Sequence, residues 1–338
     1  MIRVAVSGIP RGYQFPRPDG NWLQDNHRRQ ILDVSPEVEL VELPEAVVHG
    51  MGSVEGIEVL LGEGGNTTHY AGELDRVDYE KFFTPSLRWV QLCSTGFSDN
   101  ITPEILDGRV TLTNSPGIHT VPIAESVLAA MLEHAKRFGQ RRLDQRKRLW
   151  RQVYCSDLGG ATALLIGLGN IGGRVAKLCK AFGMRVIGTR RRVGQVENVD
   201  LVFPVGELRR HLPGADYVIV VAPHTPETEG LLGEGEFRAM KKTSYFINVG
   251  RGMVADEAAM IRALREDWIA GAYLDCFAVE PLPADSPLWG LDNVFIVPHD
   301  SHSSPKIGDR LVAQFCENLH RYVAGEQLLN VCDPRRGY

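Results

Sequence analysis

From Ala161 onward the chain alternates between short apolar runs and amphipathic segments, and this alternation narrows the possible folds more than any other feature. The runs "TALLIG", "MRVIGT", "LVFPV", "ADYVIVVAP", "TSYFINVG", "WIAGAYLD" and "NVFIVPH" read as strands. Between them "NIGGRVAKLCKAFG", "GELRRHLPG" and "DEAAMIRALRE" carry helical spacing. Strands that are apolar along their whole length must be covered on both faces, and helices between consecutive strands do the covering. The expected fold is therefore a doubly wound parallel α/β sheet. The first part repeats the habit less regularly. "IRVAVSG", "VELVELP", "IEVLLGE", "RWVQLCS" and "RVTLTN" read as strands with helices between, and "IPRGYQFPRPDGN" reads as a loop. Two α/β units in succession suit a chain of 338 residues. A long helical run is expected from about Pro122 to Gln152 between the units. The final "KIGDRLVAQFCENLHRYVAGE" is an amphipathic helix with no strand after it, and the first unit is one place for it to pack.

Bulk properties exclude several classes. Hydrophobic residues at 43%, charged residues at 23% and a net charge of -5 describe an ordinary globular protein with no global attraction for nucleic acid or anionic membranes. No apolar run approaches the ~20 residues of a membrane span, and "MIRVAVSGIP" lacks the basic start and longer apolar core of a signal peptide. The cysteines (Cys93, Cys155, Cys179, Cys276, Cys316, Cys332) are scattered, which reads as idle or buried thiols in a reducing, cytoplasmic compartment.

"LLIGLGNIGG" places Gly167, Gly169 and Gly172 directly after a strand and at the start of a helix. In a dinucleotide-binding turn the first glycine permits the tight bend, the second lets a phosphate approach the backbone, and the third lets helix and strand pack closely. The helix N-terminus then offers unpaired N–H groups to a pyrophosphate. About twenty residues later such folds place an acid on the adenosine ribose, but here stands "GTRRRVG" with Arg190, Arg191 and Arg192. Guanidinium groups grip phosphate, whereas an acid repels it, so the sequence points to NADP(H) ahead of NAD(H). Adjacent residues on extended chain face opposite ways, so not all three arginines serve, and which one does is open.

Ligands of such sheets bind outside the carboxyl ends of the strands. Arg251 follows "YFINVG", Glu280 lies just beyond "AGAYLD", and His299 follows "VFIVP". Carbonyl reduction needs such a set: a cation for the substrate's carboxylate, a proton donor for the carbonyl oxygen, and a carboxylate that keeps the histidine protonated. Each residue alone has an ordinary structural reading, and their common position at strand exits favours function.

The segments "NSPGIHTVPIAESVLAAML", "LLIGLGNIGG", "VAPHTPETEGLL", "MKKTSYFINVGRGMVADEAAMIRAL", "GAYLDCFAVEPLPADSPLW" and "NVFIVPH" resemble the D-isomer-specific 2-hydroxyacid dehydrogenases, in family order from near Cys93 to His299. "NVGRG" and "VEPLP" are the most specific parts. The resemblance implies two Rossmann-like domains, with the cofactor domain inserted in a substrate domain: residues 1-118 plus 300-338 for substrate, 119-299 for the dinucleotide. It implies Arg251 as the substrate-binding arginine, Glu280 as the histidine's partner and His299 as the acid/base. Asn170 and Ile171 would offer amides to the pyrophosphate. Ala222 and Pro223 would line the adenosine side, Val249 would lie near the cofactor, and Asp275 would accept from the nicotinamide carboxamide. The loop "CSTGFSDN" would bring backbone amides near Thr95 and Gly96 to the substrate carboxylate. A homodimer is implied as well, with substrate in a closing cleft. Specificity would lie in loops around Gly64, Gly96 and His302. Three departures from the pattern point to a substrate of unusual size or polarity: His224, the polar "PHDSHSSP", and "GEGGNTTH" at Gly62 to His69.

The expected activity is reduction of a small 2-oxo acid to a D-2-hydroxy acid with NADPH, NADH being the second choice. Two alternatives share the fold: a dinucleotide-sensing corepressor without turnover, and a dehydrogenase of another donor such as formate or phosphite. His299, Asp300 and His302 resemble a metal cluster only superficially, because adjacent residues seldom converge on one ion, and no metal is expected. The basic run Lys136 to Arg151 reads as a solvated helix and arm, without a nucleic-acid partner.

Overall fold

The computed structural model describes residues 1–6, 23–41, 55–62, 83–97 and 101–334. Two compact units emerge, one formed by Met1–His119 with Ser303–Tyr338 and the other by Thr120–His302. The first contains β1 (Ile2–Val6), α1 (Asp25–Leu32), β2 (Val38–Val41), β3 (Val59–Gly62), β4 (Trp89–Leu92), α2 (Pro103–Leu106) and β5 (Thr111–Thr113). The second begins with α3 (Thr120–Lys136) and α4 (Phe138–Arg146). It continues through β6 (Thr162–Ile166), α5 (Asn170–Ala181), β7 (Arg185–Thr189), β8 (Leu201–Phe203), α6 (Leu208–His211), β9 (Tyr217–Val220) and α7 (Glu234–Ala239). It ends with β10 (Tyr245–Asn248), α8 (Glu257–Arg265), β11 (Gly271–Leu274) and β12 (Val294–Ile296). The last helix, α9 (Ile307–Val323), belongs to the first unit.

Both sheets are parallel, in the orders β2-β1-β3-β4-β5 and β12-β11-β10-β9-β6-β7-β8. The α/β doubly wound architecture expected from the apolar runs is present in each. The reason is visible residue by residue. Leu164, Ile166, Val218, Val220 and Phe246 face one core, while Ala163, Leu165, Tyr217, Ile219, Tyr245 and Ile247 face another on the opposite side. Because side chains alternate along a strand, burial of both faces requires an unbroken apolar run. The smaller sheet repeats this, with Val4, Val59, Leu61 and Trp89 on one side and Ala5, Leu60, Val90 and Leu92 on the other.

Helix α9 covers one face of the smaller sheet through Ile307, Leu311, Val312, Phe315 and Leu319, all fully buried. These positions recur at three- to four-residue spacing, one stripe of a helix. Phe315 stacks on Trp89 with ring centroids 5.2 Å apart. The helix stops at Gly325, whose φ of +69° is the left-handed turn that commonly closes helices. Beyond it Val331 forms an isolated antiparallel bridge with Thr113, so the chain does return to the sheet edge after α9, which the sequence did not suggest.

Two other expectations need correction. The helical run expected from Pro122 to Gln152 is broken at Arg137, which adopts φ 54°, and helix ends at Arg146. The long basic stretch hides that break because arginine is a good helix former. The segment "GELRRHLPG" forms one α-turn, Leu208–His211, flanked by 3-10 turns, since Pro213 cannot continue a helix. The loop read at "IPRGYQFPRPDGN" lies outside the described residues, as do "GEGGNTTH" beyond Gly62, including Gly64, and Ser98 to Asn100 of "CSTGFSDN".

Candidate active site

The order of the larger sheet reverses at β6. Strands β7 and β8 lie to one side, and β9, β10, β11 and β12 to the other, so the exits of β6 and β9 form the switch point at which ligands of doubly wound sheets bind. Gly167 leaves β6 with φ +105°, and a Cβ there would stand 3.0 Å from the Cα of Ala222 at the β9 exit. At Gly172 a Cβ would lie 2.2 Å from the carbonyl oxygen of Gly167, so only glycine lets α5 pack this close. Gly169 is different: a Cβ there would meet no protein atom within 4 Å. Its backbone caps α5, whose first amides, at Asn170 and Ile171, have no acceptor within the helix. A tight turn, an open glycine and an exposed helix N-terminus fit the pyrophosphate of a dinucleotide.

Strand β7 ends at Thr189, whose buried hydroxyl accepts a hydrogen bond from the Gly167 amide at 3.3 Å. The three arginines follow and are all exposed. The Arg190 amide still donates to Phe203 at 3.3 Å, extending the ladder between β7 and β8. Arg191 lies near enough to Glu227, in the loop after β9, for its charge to help hold that carboxyl below the usual range. The larger cause there is a hydrogen bond from the Thr225 side chain. That loop is tied by Thr228, whose hydroxyl donates to Pro223 O at 2.7 Å and accepts from the Thr225 amide at 2.8 Å. Ala222 is buried beneath it, and His224 faces Glu229 at 3.6 Å.

At the exits of β10, β11 and β12 the polar residues converge. His299 Nδ1 lies 2.7 Å from Glu280 Oε2, and the other carboxylate oxygen of Glu280 accepts the Phe277 amide at 2.9 Å. Partial burial alone would raise Glu280. The hydrogen bonds from His299 and Phe277, with the nearby charge of Arg251, outweigh it and hold this carboxyl below the usual carboxylate range. His299 adopts φ 52°, uncommon for a residue with a side chain, and its amide donates to Val297 at 2.9 Å. Arg251 is exposed directly after β10, with Nη1 donating to Gly250 O at 2.8 Å. Its backbone is fixed by Asn248, which accepts the Gly250 amide and donates to Arg251 O, both at 3.1 Å. A Cβ at Gly252 would fall 2.0 Å from Phe277, so the turns after β10 and β11 are in contact. Val249 is buried between these strands' ends.

Asp275 is buried at the end of β11, and burial raises its carboxyl despite the Ser301 amide that it accepts at 3.1 Å. Thr95 and Gly96 follow β4 in the other unit, where Asn114 donates to the Thr95 carbonyl at 2.6 Å. Among the described residues no group of three or more His, Cys, Asp or Glu side chains could hold a metal ion, and no helix is long and apolar enough to cross a membrane. Sequence reasoning missed Asn248, Thr189, Thr228 and Ser301. Each is a small polar residue whose only signal is an interruption in or after an apolar run.

Comparison with known proteins covers the same residues. The model for the D-isomer specific 2-hydroxyacid dehydrogenase NAD binding domain matches residues 128–301. A glyoxylate reductase of Korarchaeum cryptofilum is 34% identical over 262 residues, covering 75% of this chain and 78% of the relative. The crystal structure of a D-isomer specific 2-hydroxyacid dehydrogenase from Xanthobacter autotrophicus Py2, in complex with NADPH and MES, superposes with a TM-score of 0.76. It is 29% identical and covers 100% of this chain and 99% of that one. A probable 2-hydroxyacid dehydrogenase from Rhizobium etli CFN 42, in complex with NADP, HEPES and L(+)-tartaric acid, gives 0.74 at 26% identity, with both chains covered in full (100%). The glycine turn, Arg251, Asp275, Glu280 and His299 all fall inside the matched region, and the chain belongs to the D-isomer-specific 2-hydroxyacid dehydrogenases, NAD(P)-dependent oxidoreductases.

Proposed function

We propose that this protein reduces small 2-oxo acids to D-2-hydroxy acids and prefers NADPH to NADH. The observation that carries the reading is the Glu280–His299 pair at 2.7 Å, set beside Arg251 at the exits of adjacent parallel strands. The glyoxylate reductase relatives and the NADP(H)-bound structures support it.

In this reading the guanidinium of Arg251 holds the substrate's carboxylate with paired, charge-assisted hydrogen bonds. Pairing of Nδ1 with Glu280 gives the proton transfer to Nε2 of His299. The bound cofactor supplies a hydride to the carbonyl carbon. As that carbon is reduced, His299 delivers its proton to the oxygen, and the alcohol leaves with both. The Glu280 carboxylate holds the ring in place through Nδ1 and fixes its tautomer after the transfer. Gly169, Asn170 and Ile171 receive the pyrophosphate, Ala222, Pro223 and Val249 border the cofactor, and Asp275 accepts from the carboxamide. The unit Thr120–His302 is thus the dinucleotide-binding unit.

Arg191 is the arginine that grips the 2′-phosphate. Of the three, Arg191 is the one whose charge bears on Glu227, in the β9 exit loop that borders the ribose. The test is NADPH and NADH oxidation with glyoxylate, hydroxypyruvate and other 2-oxo acids, with chiral analysis of the product. Turnover that favours NADPH and yields the D-isomer is expected. No turnover with any 2-oxo acid in a folded sample would refute the reading, and an NADH preference would refute its cofactor part.

A further inference from the structure

The segment after β12, "PHDSHSS", carries a second histidine three residues beyond the first. Its middle residue is pinned from three directions. The buried Ser301 donates its amide to Asp275 at 3.1 Å, its hydroxyl pairs with Tyr273 O–H at 2.8 Å, and its carbonyl accepts the Ser126 hydroxyl at 3.2 Å. Helix α3 and strand β11 therefore clamp the backbone between the two histidines. With that backbone fixed, the His302 ring stands edge-to-face against the His299 ring, centroids 6.2 Å apart and planes at 88°.

A 2-oxo acid bound for reduction has three groups on its reacting carbon. The oxygen lies within about 3 Å of the His299 nitrogen, as hydrogen bonding requires. The carboxylate belongs to Arg251. The third group, C3 and its substituents, is left to the surface that flanks His299, and His302 holds its ring 6.2 Å from that of His299. An imidazole donates to or accepts from a hydroxyl and donates to a carboxylate, while contact with an alkyl group leaves it without that exchange for the water it loses. Sites built to hydrogen-bond a substrate group reject the analogue that lacks it far more strongly than apolar pockets reject an added methylene.

We propose that His302 is a specificity-determining residue that selects 2-oxo acids bearing a hydroxyl or carboxylate on C3 over those bearing an alkyl group there. The inference rests on the 2-oxo acid reading above. Hydroxypyruvate and 2-oxobutyrate are probes of similar size that differ in that group. With NADPH, the wild-type chain favours hydroxypyruvate in kcat/KM. His302→Ala lowers kcat/KM for hydroxypyruvate about tenfold, the worth of one hydrogen bond, chiefly through KM, and leaves 2-oxobutyrate within about twofold. His302→Asn, which keeps a donor and an acceptor, recovers part of the loss. Melting temperature and NADPH binding, followed by fluorescence, stay at wild-type values in both variants. An unchanged ratio of the two substrates in His302→Ala overturns the inference. So does an equal fall in kcat for both, which would make His302 a support for His299 alone. Absence of any 2-oxo acid turnover in the wild-type chain overturns the reductase reading itself, and this inference with it.

Discussion

The two ends of the larger sheet hold the same residue type in opposite surroundings. At the amino ends of the strands, His134 near the close of α3 stacks on Tyr245 at 4.1 Å and meets Tyr217 edge-on at 6.2 Å. Burial, and then the charge of Arg137, push it down to about 4, so it stays neutral at physiological pH. The same burial pushes the Tyr217 phenol up to about 12. At the carboxyl ends His299 stands at 2.7 Å from a carboxylate that is itself held below its ordinary range. One histidine is packed on tyrosine rings, and the other shares a hydrogen bond with a carboxylate at a partly open surface. The difference comes from sheet direction. Around His134 the strand starts bring up tyrosine rings, whereas the exits beside His299 open into turns whose backbone amides and polar side chains meet carboxylates.

Substitutions can break this contrast, and their expected effects fall in order. His299→Ala lowers kcat about 10²–10⁴-fold, the usual worth of a positioned acid, with NADPH binding retained by fluorescence titration. Arg251→Ala comes next, with kcat/KM for 2-oxo acids down about a hundredfold through the lost charge-assisted clamp, read by steady-state kinetics. Glu280→Gln lowers kcat about tenfold or more, because the ring loses its charged partner, and it removes the acid-side fall that protonation of Glu280 gives the wild-type profile. The sign follows from the carboxyl itself. Its value is depressed in the fold, so it is charged throughout the neutral range, its pairing is complete above the unfolded carboxyl range, and the pairing is lost only as pH falls through the depressed value. Glutamine removes that titration, and a variant that keeps the wild-type rate and acid limb would refute the partnership. Arg191→Asp erodes the NADPH-over-NADH ratio by about tenfold, more than the same change at Arg190 or Arg192.

The smallest effect concerns stability. His134 is depressed from 6.5 to about 4, so its contribution is whole above pH 6.5 and is lost as pH falls toward 4, where the unfolded chain binds the proton first. His134→Gln therefore flattens the acid side of a melting-temperature profile while leaving kcat near wild type. A wild-type profile that is already flat between pH 6.5 and 4 would contradict this.

The strands of both units were legible because burial on two faces writes itself into unbroken apolar runs such as "ALLI", "YVIV" and "YFIN". The candidate site residues stand out in the sequence because they directly follow those runs: Gly167 after β6, Arg251 after β10, His299 after β12. What was hidden depends on approach in space between distant stretches. The Ser301 clamp joins residues 126, 273 and 301. The nearness of Arg191 to Glu227 spans two strand exits, and the break at Arg137 sits in a basic stretch that suits a helix. The six residues of α7, in "EGEFRA", are too short and glycine-containing for periodicity to announce them.

The most direct test places the two histidines side by side: kcat for reduction of a 2-oxo acid by NADPH in His134→Gln and His299→Gln, each confirmed folded. The account predicts activity near wild type for His134→Gln and a loss of at least about a hundredfold for His299→Gln. Equal losses in the two variants, or a His299→Gln enzyme that turns over normally, would contradict it.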